Sequence, residues 1–285
     1  MRESSNPVFR NLPKQGGPGG YAGFGGTQTH ARPQGQNPYS AQGRNPYGNQ
    51  GQDAYTPPQA PTRAMTVDDV VAKTAATLGV LVVVAAITAF AVSQNTALAF
   101  PALIVGALVG FALVMVATFG RKANKGVVLA YAAAEGLVVG SISWIYETGT
   151  VGTVVPQAVI GTIGVFVGML VVYKTGAIRV TPRLTKMIFA GLIGVLVLMV
   201  VNVIASLFVD GGLGLRSGGP LAIIFSLVCI AVAAFSFLLD FDQADKLIRA
   251  GAPEQMAWSV ALGLTVTLVW LYLEMLRLIS YFNRS

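Results

Sequence analysis

Residues 220–282 read PLAIIFSLVCIAVAAFSFLLDFDQADKLIRAGAPEQMAWSVALGLTVTLVWLYLEMLRLISYF. An apolar run (221–239) meets a short connector carrying both signs of charge, and a second apolar run (256–282) follows. The first run ends in Asp240, Asp242 and Asp245, and the second carries Glu274 and Arg277 inside oily sequence. A charged side chain in hydrocarbon costs roughly 2.5–3.5 kcal/mol on insertion scales, so such residues face a cavity or a partner. Function is therefore sought first at these residues.

Working outward, the chain is 54% hydrophobic and 11% charged. Soluble domains carry about 25% charged residues, so the sequence predicts an integral membrane protein. Seven apolar runs are long enough for a bilayer core, which takes about 20 residues each. They cover 70–92, 100–119, 127–146, 151–173, 184–209, 221–239 and 256–282. Short connectors between them favour an antiparallel arrangement. The fold expected over 66–282 is an all-α membrane protein, a seven-transmembrane-helix bundle. Thr66, followed by Asp68 and Asp69, marks the first helix start, with acids at the positive end of the helix dipole. Gly106 and Gly110, Gly136 and Gly140, and Gly164 and Gly168 are each four apart. That spacing either lets backbones approach closely in lipid or reflects tolerance of glycine there.

Residues 1–63 form a low-complexity segment rich in Gly, Pro, Gln, Asn and Tyr, predicted to be a disordered cytoplasmic tail because it has too little apolar surface to offset its ordering entropy. It repeats QGQNPYSA, QGRNPYGN and QGQDAYTP, so Tyr39, Tyr47 and Tyr55 recur at one period. The repeat reads either as a multivalent interaction tail or as an inert solvated extension. The glycine run 16–26 lacks the Gly-Lys-Ser/Thr ending of a phosphate loop. No short charged start with an apolar core is found, so no cleaved signal is expected. Net charge is +7, but the cations sit between apolar runs, which orients a membrane protein rather than binding nucleic acid. Basic residues concentrate in the tail and in the second, fourth and sixth connectors (Arg121, Lys122, Lys125; Lys174, Arg179, Arg183, Lys186; Lys246, Arg249). The positive-inside rule places those segments in the cytoplasm and, after seven crossings, the C-terminus outside.

Polar residues within the runs are the candidates for chemistry. Glu135 lies mid-way along the third run, Asn202 in the fifth, Asp240 at the inner end of the sixth. Glu274 and Arg277 are three apart on one helix face, so they either pair with each other or serve a site. Asp242 and Asp245, near Lys246 and Arg249, read as a solvated face. If the sixth helix continues to Arg249 and stops at Gly251, Asp240 falls inside the bundle. The single cysteine, Cys229, reads as a small buried hydrophobe, and the single histidine, His30, lies in the tail. No nucleophile–base pair, zincin helix or nucleotide loop is present, so no enzyme activity is expected, and no cofactor.

Over roughly 66–281 the chain resembles the Bax inhibitor-1/YccA family of seven-helix membrane proteins, also called the transmembrane Bax inhibitor motif family. The strongest piece is Leu239-Asp240-Phe241-Asp242-Gln243, similar to the family's Asp-x-x-Gln. LYLEMLRLI resembles the family's closing segment, and MRESSNPVFR with the Gly/Gln-rich tail looks like its actinobacterial branch. The resemblance implies a pair of membrane-embedded acids, from the sixth and seventh helices, that shares protons and gates a Ca²⁺ leak in a bacterial plasma membrane. The first acid carries over as Asp240. Aligning on LYL-acid makes the second Glu274; anchoring on Leu276-Arg277 puts it near Thr267. The family's second-helix arginine has its nearest matches in Arg121 and Lys122.

Two carboxyls in low dielectric cannot both ionise cheaply, so they would share a proton and hold the helices together. Deprotonated, they would repel, and Asp240 with Glu274 would offer oxygens to Ca²⁺, a hard cation. Glu135 would add an oxygen along the path; Asp242, Thr267, Asn202 and Arg277 are accessory candidates. The partners implied are the lipid bilayer, Ca²⁺ and protons. Competing readings are a proton-coupled transporter and a non-conducting protein that modulates a membrane protease or another partner through its tail. A retinal protein is disfavoured, since the last run has no lysine.

Overall fold

The computed structural model describes residues 63–120, 123–149 and 153–284. The predicted tail with its tyrosine repeats, and Arg121 and Lys122, lie outside the described residues. Among the described residues, seven helices are long and apolar enough to cross a membrane. They are α1 (Val67–Gln94), α2 (Ala99–Phe119), α3 (Lys125–Thr148), α4 (Val154–Thr175), α5 (Pro182–Ser206), α6 (Pro220–Arg249) and α7 (Ala257–Arg284). Short 3₁₀ turns, Thr96–Leu98 and Glu254–Met256, precede α2 and α7.

Local chemistry sets the helix ends. Thr66 caps α1 in a reciprocal box: Asp69 N–H donates to Thr66 Oγ1 (3.3 Å), and Thr66 N–H donates to Asp69 Oδ2 (2.9 Å). Asn124 caps α3 through Val127 N–H (3.0 Å). α5 starts two residues before its apolar run, because Thr181 caps it and Pro182 takes the first position. It stops at Ser206 rather than at 209, and Asn202 Oδ1 accepts the N–H of Leu213 (3.0 Å), anchoring the loop that follows. α6 runs well past its apolar stretch to Arg249, and Gly251 adopts φ +64°, a conformation glycine enters without a Cβ clash. The condition that places Asp240 within the helix is thus met.

α7 is the central helix. It packs against α1, α3, α4 and α6, and through its middle turns only Val266 reaches the exterior. α3 is buried to a similar degree, because α1 and α2 cover it closely. A Cβ on Gly106 would lie 2.6 Å from Ala134 O, and one on Gly136 would lie 2.8 Å from Leu81 O; at Gly140 it would meet Ala85 O. Two of the three glycine pairs therefore sit at close helix crossings. The third does not: Gly164 and Gly168 have nothing within 4 Å of an added Cβ.

At the end where α6 meets α7, Phe237 and Phe241 of α6 pack edge-on with Phe166 of α4 (centroids 5.3 and 5.6 Å apart). Met65, ahead of α1, is buried in the same cluster. Its segment is tied to the α6–α7 connector: Met65 N–H donates to Ala252 O (2.8 Å) and Glu254 N–H donates to Arg63 O (2.9 Å). Arg63 pairs with Asp69 (2.6 Å) and Lys73 with Glu254 (3.1 Å). This end of the bundle is stapled.

Candidate functional site

Asp240 projects from α6 toward α7 at a level where α7 offers small or hydroxylic residues. Thr267 Oγ1 donates to Asp240 Oδ2 at 2.8 Å, and Thr267 is itself buried. The same hydroxyl lies 3.2 Å from Gly263 O on its own helix. One hydroxyl hydrogen therefore has two acceptors, a side-chain carboxylate and a backbone carbonyl. Gly263 leaves room for the other carboxylate oxygen: an added Cβ would stand 3.8 Å from Asp240 Oδ1. No ion pair is recorded for Asp240 among the described residues. Its partner is a neutral hydroxyl.

Glu274 is placed differently. It is only 2% exposed and pairs with Arg277 of the same helix at 2.5 Å. Tyr146 of α3 lies close enough to Arg277 to interact with its charge. The second carboxylate oxygen, Glu274 Oε2, is buried and has no hydrogen-bond partner among the described residues. Between Thr267 and Glu274 lie two turns, about 10 Å along the axis. The expected pairing of Asp240 with Glu274, as shared-proton partners or Ca²⁺ ligands, is therefore not brought together. One reason is local: a cation one turn away on the same helix face pairs with Glu274 Oε1 at short range. Of the two alignments, the one through Leu276-Arg277 gives the residue that faces Asp240, and that residue is a threonine. No cluster of three or more His, Cys, Asp or Glu side chains forms among the described residues.

The other candidates lie apart from this pair. Glu135 on α3 lies one turn from Tyr131 and points toward Gly110 of α2, whose added Cβ would be 3.3 Å from Glu135 Oε2. Asn202 holds the α5–α6 loop. Asp242 pairs with Lys246 at 2.5 Å and Asp245 with Arg249 at 2.9 Å, both four apart on α6. Sequence reasoning gave no sign of Tyr146 as a partner of Arg277. Its signal depends on α3 lying beside α7, and helix neighbours are not written in a single helix's pattern.

A family model described as Bax inhibitor 1 like matches residues 6–284. The chain belongs to that family. A search of the curated proteins found no match. As a Bax inhibitor 1 like protein with seven spanning-length apolar helices, it is a multi-pass membrane protein. Within that frame, Asp240 and Thr267 form a polar contact between α6 and α7.

Proposed function

We propose that the protein is a pH-sensitive Ca²⁺ leak channel of a bacterial plasma membrane, with Asp240 as its proton-responsive group. The observation that carries this reading is the Asp240–Thr267 hydrogen bond, a carboxylate held between two packed helices by a hydroxyl instead of a cation. Ionised, Asp240 accepts from Thr267 and presents a negative charge with no counter-ion beside it. Protonated, it can donate to Thr267 Oγ1 while the threonine hydrogen turns to Gly263 O. Both states are thus hydrogen-bonded, and switching leaves no orphaned polar group.

The charge change alters the path. A bare carboxylate attracts a hard divalent cation and supplies it an oxygen, whereas the neutral acid does neither. Ca²⁺ is the cargo, met by Asp240 on its way, with Glu135 as a second acid farther across. Flux is therefore expected to fall as Asp240 becomes protonated. Repulsion between two acids, the gate implied by the family resemblance, gives way here to gain and loss of one charge.

The test is Ca²⁺ flux through the purified full chain in liposomes, compared with K⁺ and H⁺ over acidic to alkaline pH. Flux that rises with pH, and loses that dependence in Asp240→Asn protein, supports the reading. A pH-independent leak, or the same pH profile in the variant, overturns it.

A further inference from the structure

A cavity of about 500 Å³ opens where the α4–α5 connector turns over the end of α6. Gly176 makes that turn possible: it caps α4 at φ +68°, sending the chain back toward α6. Lys174 and Arg179 line the cavity from the connector side; Asp242, Asp245, Lys246 and Arg249 line it from α6. The two carboxylates are already matched, Asp242 by Lys246 and Asp245 by Arg249. Lys174 and Arg179 make no ion pair among the described residues, so the cavity keeps two uncompensated cations.

We infer that this cavity is a binding site for the phosphodiester headgroup of an anionic phospholipid. Its place favours a lipid over a soluble anion: α6 is apolar up to Leu239, and the cavity spans the next one to three turns, where headgroups would lie. An arginine forks onto phosphate oxygens and a lysine adds a point charge, so the pair suits a phosphate held from two sides. The floor of the cavity includes Tyr173, whose ring packs on Phe241 (centroids 5.7 Å apart), so the wall is fixed by the bundle core. The chain's own tail does not suit the site, since residues 1–63 carry six basic side chains and only Glu3 and Asp53 as acids. The inference stands whether or not the protein conducts Ca²⁺.

The experiment titrates the full chain, in neutral detergent, with short-chain phosphatidylglycerol, with phosphatidylcholine of the same chain length, and with inorganic phosphate. Binding is read by native mass spectrometry and by thermophoresis. Phosphatidylglycerol should bind saturably and more tightly than phosphatidylcholine. The Lys174→Ala/Arg179→Ala double variant, changed only at exposed positions, should weaken it roughly tenfold or more. Lys125→Ala, a cation at the start of α3, should leave it unchanged. Equal binding of the two lipids, or an undiminished affinity in the double variant, overturns the site. Inorganic phosphate binding as tightly as the lipid overturns the headgroup assignment.

Discussion

Asp240 and Glu274 are both carboxylates at buried helix contacts, two turns apart in level, yet they are built for opposite behaviour. Asp240 faces Thr267, a neutral partner that can accept or donate. Glu274 faces Arg277, whose charge is fixed and which is only 12% exposed. The first acid can change charge without losing its hydrogen bond. The second is held in an ion pair, with Tyr146 of α3 beside it. Burial alone does not make a titrating site; the partner's chemistry decides.

The comparison breaks most visibly at the ion pair. Arg277→Met takes from buried Glu274 the cation it is hydrogen-bonded to and leaves only Arg216 nearby, and the loss should be about 3–5 kcal/mol. Thermal unfolding in detergent measures it, and adding Glu274→Leu should recover most of the deficit. A single variant that unfolds like the wild type would show that the pair holds nothing in place. At the other carboxylate, Asp240→Asn keeps an acceptor for Thr267, so stability should change by less than about 1 kcal/mol. Liposome flux in that variant should become flat with pH. Thr267→Val removes the hydroxyl, and the pH midpoint of flux should move by about one unit or more. Thr267→Ser should restore it, and an unmoved midpoint in the valine variant would dismiss the hydroxyl's role. The smallest effect is expected at Lys246→Ala. Its pair with Asp242 is a solvent-facing helical one, worth about 0.3–0.5 kcal/mol, and both unfolding and pH profile should stay near wild type.

The helices were readable from the chain because a bilayer demands about 20 apolar residues per crossing, and few other patterns meet that demand. The α6 extension was readable too, since Asp240 to Arg249 keeps helical spacing up to a stopping glycine. Partner choice was harder. Glu274 stands three residues from Arg277, and that spacing is explicit in sequence. The contact of Asp240 with Thr267 needs the relative height of two antiparallel helices, set by the connector and by the core cluster in which Phe237 and Phe241 of α6 meet Leu264 and Leu268 of α7. Gly164 and Gly168 carry the same lesson. Their spacing matches the close-packed pairs of α2 and α3, but no neighbouring backbone comes near them.

The attachment of residues 63–65 has a mechanical corollary. Because Met65 bonds to Ala252, and Arg63 and Lys73 both reach Glu254, a pull exerted at Arg63 is delivered to the hinge between the last two helices. A segment fused ahead of that point is therefore attached to the α6–α7 connector as directly as to α1.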